Sequence, residues 1–163
     1  MDYLYAPWRS GYHLSKQGGC VFCDISARAE NDRQNHVLYR DESCFIVMNL
    51  YPYIAGHFMI VPSAHVSSLE ELDAEVWRHI ASLAQKGVGL LKNCLKAPGV
   101  NMGMNLGRAG GAGIEEHIHL HLLPRWIGDT NFITTIGEAR VFGYDFEEIY
   151  LRLLNEANGC FND

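Results

Sequence analysis

The sequence is poor in the features that would staple a chain together or carry it to a membrane or a nucleic acid. Its five cysteines are an odd number, with Cys20 and Cys23 close together and Cys44, Cys94 and Cys160 isolated. That distribution argues against a disulfide framework and for a reducing compartment. No apolar run approaches the roughly 20 residues of a membrane span, and Met1–Arg9 lacks the charged and apolar regions of a signal peptide. Basic residues are also scarce: 13 Lys and Arg face 19 Asp and Glu, a formal net charge of −6. There is no general attraction to a nucleic-acid backbone, so a duplex DNA or RNA partner is not expected, although local groups can still hold a small phosphorylated substrate. Internal repeats and low-complexity segments are absent too. What is left is 163 residues with 48% hydrophobic content, enough to bury one core without staples. A single cytoplasmic domain with no membrane partner is the expectation.

The first 19 residues are aromatic-rich and unpatterned, and read as an arm, with Trp8, that packs on the body or on a second subunit. Cys20 to about Ala29 suits a short helix with Phe22 and Ile25 on one side, and Asn31–Asn35 a polar loop. Val37–Arg40 and Cys44–Leu50 read as strands joined by a connection short enough for a hairpin. Pro52 lacks a backbone donor and Gly56 tolerates a positive φ, so the ladder breaks before a third strand at His57–Val61. The longest helical stretch is Ser67–Ala97. Ser67 or Ser68 can cap a short first turn there, and Asp73 a long helix bearing Val76, Ile80, Leu83, Ala84, Val88 and Leu91 at intervals of three and four. Gly87 and Gly89 weaken its middle by up to about 1 kcal/mol each relative to alanine. Val100–Leu106 is a fourth strand, and Asp145 can cap a C-terminal helix carrying Phe146, Ile149, Tyr150, Leu153 and Leu154.

The most informative stretch is His117-Ile118-His119-Leu120-His121-Leu122-Leu123-Pro124. In a strand, successive side chains alternate faces, so the three histidines would line one face about 7 Å apart while Ile118, Leu120 and Leu122 enter the core. A neutral imidazole is a good nucleophile toward phosphorus, and a hydrogen bond to one ring nitrogen fixes which nitrogen attacks. The middle residue, His119, has a histidine on either side to orient it or move a proton. Upstream, Gly107–Gly113 holds four glycines in seven residues, which lets backbone N–H groups approach phosphate oxygens. A flexible turn has the same composition, and Glu115-Glu116 reads as a solvated part of it. A metal site made of His117, His119 and His121 alone is a second reading, weakened because zinc takes ligands converging from several elements.

Cys20 and Cys23 have the spacing of a zinc half-site, and no second such pair exists. His65 and His117 are the natural residues to complete it. Two reduced thiols packed as small hydrophobes are the alternative. His13, His36 and His79 read as surface groups.

These residues together resemble the histidine triad (HIT) family, whose His-x-His-x-His signature followed by apolar residues stands at His117–Leu123. Cys20–Ile25, Asn49–His65 and the stretch from Asn105 into the triad extend the resemblance over roughly residues 20 to 126. It implies an α+β fold, a five-stranded antiparallel sheet backed by the long helix, and a homodimer. It divides the chain into an arm (1–19), a core (20–126) and a C-terminal extension with a helix (127–163). It implies further that His119 attacks the α-phosphate of a nucleotide to give a nucleotidyl-histidine, supported by His117, His121 and His57. Phe22, Ile25 and Leu50 would contact a purine base and Asn49 the ribose. Asn105 and the backbone of Gly110–Gly113, including Gly111 and Ala112, would meet the phosphates. Zinc-bearing relatives use a pattern that falls here on Cys20, Cys23, His65 and His117, with a structural Zn.

One departure matters. Many members carry Gly-Gln-Ser or Gly-Gln-Thr before the triad, where this chain has Gly111-Ala112-Gly113-Ile114. The run Ala109–Ile114, with the triad leading into Pro124-Arg125-Trp126 and with Gly128–Phe132, is similar to the bacterial diadenosine polyphosphate phosphorylases and hydrolases. Cleavage of a dinucleoside polyphosphate is the expected activity, with phosphate or water as acceptor. An adenosine phosphoramidate hydrolase and a non-catalytic nucleotide sensor are the alternatives. Arg125, Thr130 and Asn131 would either bind distal phosphates or organise the turn after the triad strand.

Overall fold

The computed structural model describes residues 19–138 and 143–162; the aromatic arm with Trp8 and His13 lies outside the described residues but for its last position. In chain order the elements are α1 (Val21–Ala27), β1 (Val37–Arg40), β2 (Cys44–Met48), β3 (Phe58–Pro62), α2 (Ala74–Cys94), β4 (Gly99–Gly103), β5 (Leu120–Arg125), α3 (Phe132–Ile136) and α4 (Phe146–Phe161). The strands form one antiparallel sheet in the order β1-β2-β3-β5-β4, the expected α+β architecture.

Every residue of β2 and β3 is buried, which means that both faces of the sheet centre are covered. The alternation sorts them. Cys44, Ile46, Met48, Phe58 and Ile60 enter the main core under the helices, and Phe45, Val47, Met59 and Val61 form a second cluster with Phe22 of α1 on the other face. α2 is capped as its sequence predicts, with the Asp73 carboxylate accepting the N–H groups of Glu75 and Val76. Gly87 has a packing reason that its helix-weakening composition concealed. A Cβ there would stand 3.0 Å from Phe58 Cζ and 3.1 Å from Leu122 Cδ2, so the missing side chain is what lets α2 lie close on the sheet. α4, capped by Asp145, packs on α2 and β1 and buries Tyr150 completely.

Several boundaries differ from the sequence expectations. The fourth strand stops at Gly103 and the third begins at Phe58. Ser68 sits at the start of a single turn, Leu69–Glu71, without a side-chain cap bond. The short helix α3 was not anticipated, although Asn131 and Thr134 form a capping box for it. The triad strand is shorter than its sequence suggests. Ladder pairing begins at Leu120, and His117 and His119 lie on the extended lead-in, held by the Ile118 N–H bonding to the Val66 carbonyl at 2.9 Å. Alternation survives there because Ile118, Leu120 and Leu122 are still drawn into the main core. Two histidines read as surface groups have fixed partners and are partly exposed, with side chains at 22% for His36 and 41% for His79. His36 packs edge-on against Phe146 and Tyr150 with both centroid separations at 4.9 Å, and His79 Nε2 lies 2.6 Å from Asp41.

Among the described residues no helix is long and apolar enough to cross a membrane.

Candidate active site and metal cluster

The triad histidines are buried: His117 is 0% exposed, His119 and His121 7% each. Fixed partners decide what each ring can do. The His119 Nδ1–H donates to the His117 carbonyl at 2.9 Å, which leaves Nε2 with its lone pair. His57, also 0% exposed, accepts the Tyr53 backbone N–H on Nδ1 at 3.2 Å, and the Asn49 amide nitrogen lies 3.3 Å from the same atom. Its proton must therefore sit on Nε2, which donates to His121 Nδ1 at 2.9 Å. His121 in turn carries its proton on Nε2, a buried atom with no hydrogen-bond partner among the described residues. The chain from Tyr53 through His57 thus leaves His121 with one uncommitted N–H beside the lone pair of His119, ring centroids 4.8 Å apart.

Burial keeps these rings neutral. It lowers the pKa of His57 to about 3, with His121 and His119 adding to the effect, and that of His121 to about 4, with a contribution from His119. Burial likewise holds His119 below the ordinary imidazole range, against the pull of the His117 carbonyl. A ring with a free lone pair and a ring with an uncommitted N–H therefore stand side by side, uncharged at neutral pH.

His117 faces elsewhere. Its Nε2–H donates to the Pro62 carbonyl at 2.8 Å, which leaves Nδ1 unprotonated 3.3 Å from Cys20 Sγ and 3.7 Å from Cys23 Sγ. His65 Nδ1 lies 3.1 Å from Cys23 Sγ. The four donor atoms all fall within 4.8 Å of one another. Tetrahedral zinc with bonds of about 2.0–2.3 Å separates its ligands by roughly 3.3–3.8 Å, so this set can hold a metal. Burial and the adjacent Cys20 hold the Cys23 thiol above its ordinary range.

Phe22 is 2% exposed and its ring stands 5.0 Å from that of His119; Ile25 and Ile114 pack at the margin of its cluster. Asn49 is half-buried, its Oδ1 accepting the Tyr51 N–H. Leu50 is 53% exposed and stands outside the Phe22 cluster. Gly107 and Gly111 take positive φ values of 65° and 87°, and Asn105 backs onto Gly110. Gly107 and Gly113 line an open depression of about 550 Å³ with Ser67, Glu115 and Glu116; Ala112 is half-buried beside it. Arg125 is committed to Asp129 at 2.6 and 2.7 Å and to Asn101 at 2.7 Å, and Asn131 caps α3. Those two side chains organise the turn. Tyr53 and the carbonyls of Pro62 and His117 carried no signal of their own, because backbone donors and acceptors are common to every residue.

A sheet of this order with three alternating histidines at its centre is the mark of one protein family, and the chain belongs to it: residues 30–126 match the HIT domain model. It is 41% identical over 142 residues to the AP-4-A phosphorylase of Mycobacterium tuberculosis, covering 86% of this chain and 72% of that one. Among solved structures it resembles a Zn-bound histidine triad family protein from Mycobacterium smegmatis, with TM-score 0.71, 28% identity, and coverage of 86% and 94% of the two chains. A hypothetical histidine triad nucleotide-binding protein from Sulfolobus tokodaii gives TM-score 0.68 at 25% identity, covering 88% and 92%.

Proposed function

We propose that the chain is an enzyme that cleaves a dinucleoside polyphosphate of the diadenosine tetraphosphate type through a nucleotidyl-His119 intermediate, with phosphate as the acceptor. The observation that carries this reading is the paired state of His119 and His121, one offering a lone pair and the other an uncommitted N–H. Likeness to an AP-4-A phosphorylase over most of both chains supports the substrate class and the acceptor.

In this mechanism His119 Nε2 attacks the α-phosphorus, a P–N bond forms, and the P–O bond to the leaving nucleotide breaks. The His117 carbonyl, already accepting the Nδ1–H, stabilises the positive charge that develops on the His119 ring. The His121 N–H hydrogen-bonds a phosphate oxygen as negative charge moves outward. Inorganic phosphate then attacks the same phosphorus and releases His119. Phe22, Ile25 and Leu50 contact the base, Asn49 the ribose, and Asn105 with Gly111–Gly113 the phosphates.

Cys20, Cys23, His65 and His117 hold a structural Zn, which ties α1 and the residues after β3 to the triad segment; four protein ligands leave no open position for water. Two copies pair through β4, an edge strand on which Met102 is 58% exposed. Product analysis with diadenosine tetraphosphate in phosphate buffer tests the activity. ADP plus ATP is the expected result, AMP plus ATP would assign hydrolysis, and no turnover would refute the enzyme reading.

A further inference from the structure

On the opposite face of the sheet from the Cys20–His117 cluster, Cys44 opens β2 from within the main core. It is 0% exposed, yet its thiol stands against a carboxylate: Sγ lies 3.6 Å from Asp41 Oδ1 and 3.8 Å from Oδ2. Asp41 is held in place by the N–H groups of Ser43 and Cys44, at 2.8 and 2.9 Å to Oδ1. Its other oxygen meets His79 Nε2 of α2 at 2.6 Å. The sulfur, nitrogen and oxygen donors all lie within 4.8 Å of one another.

We infer that Asp41, Cys44 and His79 form a second metal site, for a divalent ion of the zinc type. Three donors of different chemistry converge from the turn after β1, the first residue of β2, and α2. A thiolate, an imidazole and a carboxylate together suit borderline ions such as Zn²⁺ or Co²⁺ and discriminate against Mg²⁺ and Ca²⁺. The S···O separations already match a tetrahedral edge of roughly 3.6 Å, and the backbone bonds to Asp41 supply the orienting outer contacts that metal carboxylates need. Binding releases the thiol proton and widens the His79–Asp41 contact to about 3.3 Å. The His79 side chain is 41% exposed, which provides the route of entry and room for that shift. Water takes the fourth position. Without an ion the Cys44 S–H donates to the Asp41 carboxylate, and metal binding replaces that proton on the sulfur while keeping the carboxylate beside it.

The ion would clamp the β1–β2 turn to α2. Titration of metal-free full-length protein with Zn²⁺, and with Co²⁺ read by absorbance, tests this in the wild type, His79→Gln and Cys44→Ser, with folding checked by circular dichroism. The expected result is one equivalent fewer tightly bound in each variant, and in Cys44→Ser a sulfur-to-cobalt charge-transfer band reduced by one thiolate's share. Because Cys20, Cys23, His65 and His117 are intact in every protein tested, their own occupancy cancels. Equal stoichiometry in all three proteins would overturn the site, as would a loss in Cys44→Ser with none in His79→Gln.

Discussion

His117 and His119 are two residues apart on one extended segment but answer to different neighbours, and substitution should separate them. His119→Ala removes the lone pair and leaves a small gap at the edge of the Phe22 cluster. Turnover of diadenosine tetraphosphate is expected to fall by about 10⁴-fold or more, the scale for loss of a nucleophile, with the melting temperature little changed. His117→Ala removes the Nδ1 donor from the Cys20, Cys23 and His65 cluster and the bond to Pro62, so both rate and melting temperature should fall. His57→Phe keeps a buried ring but takes away the proton that fixes His121, and kcat is expected to drop by roughly 10²-fold, the scale of a positioned proton donor. Steady-state kinetics beside thermal melts decide all three. The alternating histidines and the Cys20–Cys23 pair were legible because side-chain spacing carries them. The tautomers were not, since they hang on the Tyr53 N–H and two carbonyls that come together only on folding.

At the scale of one element, α2 offers a paired test of what its two glycines do. Gly87 faces Phe58 and Leu122 at 3.0 and 3.1 Å from an added Cβ, whereas an added Cβ at Gly89 meets nothing within 4 Å. Gly89→Ala should stabilise by up to about 1 kcal/mol through helix propensity alone. Gly87→Ala gains the same propensity but forces the Phe58 ring and a Leu122 methyl to give way, a penalty of about 1–3 kcal/mol that leaves the change neutral to destabilising. Chemical denaturation of the two variants reads the difference, and equal stabilisation would mean that the helix can lift off the sheet without loss. The frame and cap of α2 were readable from apolar intervals and Asp73. The close approach at Gly87 was not, because composition describes a glycine's freedom and says nothing of what stands opposite it.

For the whole molecule, the buried histidines make stability a function of pH. Each is kept neutral when folded, at a pKa of about 3 for His57 and about 4 for His121, while an unfolded histidine titrates near 6.5. Above that value neither state binds the proton and these groups add no slope. As pH falls below about 6.5 the unfolded chain takes up protons that the folded chain refuses, so stability declines, by about 1.4 kcal/mol per pH unit for each such histidine at full effect. The decline continues until the folded pKa values are reached near pH 4 and 3. Asp41, whose carboxyl burial raises but whose bonds to His79, Ser43 and Cys44 lower further, adds its own loss only in the ordinary carboxylate range and below. In metal-free protein, where no ligand set loses an ion to protons, the histidines therefore act almost alone between about pH 7.5 and 5. The denaturation midpoint should be flat above pH 7 and fall steadily toward pH 5, and His57→Phe should flatten that acid limb. A limb of unchanged steepness in His57→Phe would show that His57 accepts its proton without unfolding, and that the relay from Tyr53 to His121 opens more easily than its burial implies.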